Sequence, residues 1–123
     1  VDMGYWIVNR HKILRRTRNT AYAMEGLLFA YKCADILQDP QAKLCFVLTV
    51  DRGLYKLSSW QIGSELENNY LSQHKFRNPV MIGGILSGPG DPLIRIDTVQ
   101  HQMHAVILAR ELIYRKRIAA TDK

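Results

Sequence analysis

Cysteine, long apolar runs and acidic residues near the N-terminus are all scarce in this chain of 123 residues. Cys33 and Cys45 are the only two cysteines, too few for a disulfide framework or a zinc site. They lie at similar distances from Asp39-Pro40, so they can face each other across a helical hairpin. Two buried thiols are expected there rather than a bridge. No apolar run reaches the roughly 18 residues that a bilayer crossing requires, so no membrane is expected. The N-terminus lacks a charged-then-apolar leader, since Tyr5 to Val8 is too short an apolar stretch. Val1 and Asp2 precede Met3, which is read either as the native start or as an interior residue of a longer protein. Motifs with chemistry attached are also missing. No HExxH pattern occurs, and "GGILSGPGDP" lacks the GK[ST] ending of a phosphate loop. No Ser or Cys sits in a nucleophile elbow. Neither a metal site nor a cofactor is expected.

Hydrophobic residues make up 47% of the chain, enough for one domain around a single core. The net charge is +6 and is unevenly placed. Arg10, Lys12, Arg15, Arg16 and Arg18 cluster where no Asp or Glu occurs between Met3 and Met24. Arg115, Lys116 and Arg117 form a second group. Such clusters suit phosphate backbones or acidic partners, or simply a solvated face and a helix C-terminus. A nucleic acid is the less favoured partner, because recognition helices, RNP aromatics and zinc ligands are missing.

Apolar spacing predicts four helices. The first covers Tyr5 to Arg16, and the second starts at an Asn19 or Thr20 N-cap and ends near Leu37. Asp39 and Pro40 open the third, which runs to about Leu57 and is antiparallel to the second. Glycines and prolines punctuate Ser58 to Asp97, where "VMIGGILSG" and "LIRI" around "PGDP" read as a short β-hairpin. The fourth helix is expected from Thr98 to about Lys116, with Asp97 as N-cap and Gln100 completing a capping-box variant. Helices two and four align when Met24 is set on Met103, which places Gly26 on Ala105 and Leu28 on Ile107. Both look apolar around much of their circumference, as covered helices do.

"RNTAYAMEGLLFAY", "GLYKLSSWQIG" and, after the glycine-rich hairpin, "IRIDTVQHQMHAVILAREL" together resemble the α/α-toroid proteins. Their glycosidase-like and polysaccharide-lyase-like branch is the one resembled. The fold class implied is mainly α, with antiparallel helical hairpins like part of a toroid and one short β-hairpin. A complete toroid needs five or six hairpins, and this chain has room for about two. The resemblance therefore implies either a terminal piece of a larger toroid or a small protein of the same unit. It further implies an oligosaccharide or polysaccharide ligand, and a homo-oligomer or the rest of a larger chain as partner.

The fourth helix raises a question of its own, because its first turns carry Gln100, His101, Gln102 and His104 although its body is apolar. In a toroid, the start of an inner helix lies at the mouth of a cleft. Asp97, His101 and His104 share one face at spacings of four and three, and a carboxylate beside an imidazole makes a proton-transfer group. Glu25 is the second interior carboxylate, which the repeat alignment brings towards Asp97; a glycosidase needs such a pair. Asp97, His101 and Glu25 are therefore the candidate catalytic residues. Arg95, Gln100 and His104 are expected to hold hydroxyls or a sugar carboxylate, and Trp60 or Tyr55 to stack on a sugar ring. Each also has a plain structural reading: Asp97 as a cap, the histidines and Trp60 as packing residues. Two other functions compete with a saccharide cleft. One is a non-enzymatic helical interaction module with a basic face, and the other is a structural unit that dimerises.

Overall fold

Asp39 accepts a hydrogen bond from the Ala42 amide at 2.9 Å, and Pro40 occupies the first helical position. Both features satisfy or remove orphan donors at a helix start. The computed structural model describes residues 1–66, 68–74 and 78–115. In it the helix opened by Asp39, α3, spans Pro40–Ser58, and α2 before it spans Thr20–Ile36. Gln38 joins them in the left-handed region at φ 54°. The Asp39 amide then reaches the Ala34 carbonyl at 2.9 Å, and the Gln38 amide reaches that of Asp35 at 3.2 Å. This is a Schellman termination built without glycine. An Asp35–Lys43 ion pair spans the turn.

The chain is mainly helical with one small antiparallel hairpin. α2 and α3 enclose the core, where Met24, Leu27, Leu28, Phe46, Val50 and Leu57 are fully buried. Small residues set how closely the helices approach. A methyl group at Gly53 would overlap the Met24 sulfur, and one at Gly4 would lie 2.5 Å from the Phe46 ring.

The N-terminal helix is not continuous from Tyr5 to Arg16. Instead α1 (Asp2–Tyr5) widens into a π-helical turn, Trp6–Arg10, and stops. Lys12 adopts a left-handed conformation at φ 51°, and Ile13–Arg15 form a 3₁₀ turn. The kink drives Ile13 to 0% exposure while Arg15 and Arg16 stay outside. Lys56 of α3 holds the kinked stretch. Its ammonium donates to the carbonyls of Ile13, at 3.0 Å, and Arg16, and to the Thr20 hydroxyl, at 3.0 Å. Desolvation lowers the Lys56 pKa to about 8.

Between α3 and the last helix lie a short α4 (Asn69–Gln73) and a 3₁₀ turn, Pro79–Met81, neither expected from the sequence. The hairpin is smaller than its glycine pattern suggested. β1 (Leu86–Gly88) pairs with β2 (Asp91–Ile94), with Leu86 opposite Ile94, Gly88 opposite Asp91 and an irregularity between. Trp60 and Ile62 tie this hairpin back to α3 through backbone bonds to Leu86, at 3.1 Å, and Gly84, at 2.9 Å.

α5 covers Ile96–Ala109 and passes into a π-helical turn, Arg110–Tyr114. It begins two residues earlier than expected, and the expected end near Lys116, with Lys116 and Arg117, lies outside the described residues. The capping box does not form, because Arg95 is the cap residue and makes no side-chain cap bond. α5 packs along α2, and the contacts advance together: Tyr22 meets Asp97, then Glu25 meets His104. The Met24-on-Met103 alignment has the same offset as the Glu25–His104 contact, so the aligned helices are spatial neighbours.

Two other expectations are corrected. The thiols are not buried, since Cys33 is exposed and Cys45 half-buried, and both are free. Nor are α2 and α5 covered all round: Phe29, Met103, Val106 and Ile107 are between 48% and 59% exposed. Among the described residues no helix is long and apolar enough to cross a membrane.

Candidate functional site

The side chains where α2 meets the start of α5 form one connected array. Glu25, with only 17% of its side chain exposed, receives Nδ1 of His101 at 3.0 Å on one carboxylate oxygen and Nδ1 of His104 at 2.9 Å on the other. A carboxylate can only accept, so Nδ1 of His104, which is hydrogen-bonded to Glu25, carries hydrogen, while His101 meets Glu25 as a close ion-pair contact. In the neutral His104 ring Nε2 is then left as the base. His101 also lies against the Tyr22 ring, with centroids 3.7 Å apart and planes inclined at 34°.

Asp97 serves a different set of partners. Arg95 grips it as a fork, Nε to Oδ1 at 3.1 Å and a terminal nitrogen to Oδ2 at 2.8 Å. The Tyr22 hydroxyl donates to Oδ2 at 2.8 Å, and the Thr98 amide to Oδ1 at 2.9 Å. These donors, Arg95 first and Tyr22 next, hold the Asp97 carboxyl below its ordinary pKa. The same bond to Asp97 raises the Tyr22 phenol. Asp97 is thus a fixed anion, and the expectation that it orients an imidazole is corrected: Glu25 has that place. Spacing on one helix pointed to Asp97, but the neighbouring helix presents a carboxylate nearer to both rings.

Beside this array is a polar hollow of about 210 Å³, walled by Arg18, Asn19, Tyr22, Ser87, Arg95 and Asp97 among others. It forms where the loop into α2, the β-hairpin and the start of α5 converge. Arg18 is its most accessible cation, with 74% of its side chain exposed and Asp91 at 3.7 Å. Arg95, by contrast, spends two donors on Asp97.

The remaining expected ligand residues lie elsewhere. Gln100 is exposed and lines an apolar hollow of about 610 Å³ with Ile94, Ile96, Met103 and Ile107. Trp60 is 3% exposed and lies under the Lys56 ammonium, 5.1 Å from the ring centroid. A ring so covered offers no stacking face, and that role is withdrawn. Tyr55 is 62% exposed and lines neither the polar hollow nor the one around Gln100. Arg18, Asn19, Tyr22 and Ser87 escaped sequence reasoning. Arg18 had a signal in the basic cluster, and Tyr22 had one in standing three residues before Glu25 and aligning with His101 in the repeat.

Compared with protein-family models, with curated proteins and with solved structures, the chain matches none of them.

Proposed function

We propose that this array is part of a saccharide site that binds an acidic sugar and moves a proton on it. The observation that carries the reading is Glu25 holding two imidazoles by Nδ1 beside a polar hollow. The hollow, at about 210 Å³, is smaller than the usual ~300–1,000 Å³ of a drug-sized ligand site. It suits one sugar ring. Its walls offer hydroxyl partners on Asn19 and Ser87, and Arg18 offers a guanidinium for a ring carboxylate.

The carboxylates favour a lyase-like proton abstraction over hydrolysis. Hydrolysis by a carboxyl pair needs one free acid and one free base or nucleophile. Asp97 already accepts from Arg95, Tyr22 and Thr98, and Glu25 accepts from His104 with His101 in close contact. Nε2 of His104, whose ring Glu25 positions through Nδ1, is the group left to take a proton, and His101 links the pair to the hollow through its contact with Tyr22. The offset shared by the aligned helices and their contact supports equivalent helices of successive hairpins, as in the toroid unit. The rest of such a toroid, or further copies of the chain, would complete the cleft.

The test is a titration with methyl β-D-glucuronide, methyl β-D-galacturonide and neutral methyl β-D-glucoside, read by histidine NMR. The acidic glycosides should shift His101 and His104, and Arg18→Ala should weaken their binding roughly tenfold. Histidine signals unmoved by all three sugars would overturn the reading. One observation favours a second one, an interaction module with a basic face. Among the described residues no ion pair joins Arg10, Lys12, Arg15 or Arg16, and all four are exposed. A polyanion that shifts these residues while sugars shift nothing would install it.

A further inference from the structure

The polar hollow has a neighbour with different walls. Met3, Trp6, Ile7 and His11 enclose about 430 Å³ together with Asn19 and Tyr22. Those last two residues also wall the polar hollow, so the spaces adjoin across one tyrosine. The Tyr22 hydroxyl is bound to Asp97 on the polar side. Trp6 is 52% exposed, whereas the chain's other tryptophan is buried. Its indole stacks on His11, with centroids 5.4 Å apart at 26°. Burial first, and Arg16 second, hold the His11 pKa below its ordinary value, which keeps this wall uncharged at neutral pH.

We propose that this second hollow receives a planar aromatic aglycone of the acidic sugar, so that the ligand is an aryl glycoside spanning both spaces. The inference rests on the saccharide reading above. A second sugar ring fits less well, because Met3, Trp6, Ile7 and Ala23 offer its hydroxyls no partner and leave only His11 and Asn19 to supply them. An aromatic ring loses no hydrogen bonds there. It gains a stacking face on Trp6 and an edge on Tyr22.

Calorimetry with methyl and phenyl β-D-glucuronides, repeated with the galacturonides and with phenyl β-D-glucoside, tests this on the full chain. The phenyl uronide should bind roughly tenfold tighter than its methyl counterpart and shift the Trp6 indole N–H resonance. Trp6→Ala should abolish most of that difference, and Trp6→Phe should keep part of it. Methyl and phenyl uronides of equal affinity would overturn this proposal and leave the sugar site standing. Equal binding of phenyl uronide and phenyl glucoside, both lost in Trp6→Ala, would uphold the aryl hollow and remove the acidic sugar instead. A mass that doubles with protein concentration while the Trp6 resonance shifts would show a second copy in the hollow, and would overturn the proposal.

Discussion

Asp97 and Glu25 lie on facing helices, and each is committed to its own partners. Asp97 has its folded pKa depressed by Arg95 and Tyr22. Its contribution to stability is therefore present above its unfolded pKa and lost as pH falls through the folded one. Asp97→Asn should flatten the loss of stability on the acid limb, seen as a smaller fall in urea midpoint from pH 6 to pH 3. Tyr22→Phe removes one donor, so the Asp97 pKa should move back up towards the ordinary carboxylate value, read by carboxyl-carbon NMR. The same bond appears in reverse at high pH. Tyr22 is raised by Asp97, so its contribution holds below its unfolded pKa and fades as pH rises through the folded one. At this scale the sequence offered polar residues at the start of α5 and Glu25 on α2, but not how they pair. The decisive partners, Tyr22 with Asp97 and Glu25 with His104, are separated by 75 and 79 residues. Same-helix spacing pointed to Asp97 because nothing local competes with it.

Helix limits followed from local chemistry wherever a cap or a proline set them. α3 starts at Pro40, as Asp39-Pro40 required, whereas α2 starts at Thr20 after a left-handed Asn19 that makes no side-chain cap bond. The N-terminal helix was misread because its break depends on tertiary packing: Lys12 turns left-handed so that Ile13 can enter a core built by α2 and α3. α5 starts early for a similar reason. Asp97 lies within the first turn, where it accepts from Arg95, Tyr22 and the Thr98 amide, and no side chain caps the helix from outside. How close α2 and α3 lie was not visible in periodicity at all. Gly53→Ala places a methyl group on the Met24 sulfur, and overpacking of this kind costs about 1–3 kcal/mol. The urea midpoint should drop accordingly, and adding Met24→Ala should recover part of the overlap while losing buried area. Asp39→Ala should cost about 1 kcal/mol through its cap, measured the same way.

Among the described residues α5 leaves an apolar face without cover. Ile96, Met103, Val106 and Ile107 of α5, with Ile94 of β2 before it, range from 37% to 87% exposed. The expectation of apolar helices came from composition, and composition cannot tell a covered face from one awaiting a neighbour. Exposed apolar patches of this kind drive association. Light scattering should show a mass that grows with protein concentration, and Ile107→Lys should shift it towards the monomer. A mass independent of concentration would count against that.

The kinked stretch from Ile13 to Thr20 is tied to α3 by the Lys56 ammonium and by Ile13, which is buried in the core. It carries Arg15, Arg16 and Arg18, three bonds that trypsin cleaves. A protease needs several residues of extended, detached backbone, so it reports how often a segment lifts away. With the tie in place these arginines should be cut slowly despite their exposure. Lys56→Met should make them the first sites cleaved under native conditions, with the fragments identified by mass. Cleavage there would detach the α1 segment, with Trp6, from the helix that carries Tyr22, so a lysine on α3 helps to set how long the two halves of the hollow stay on one chain.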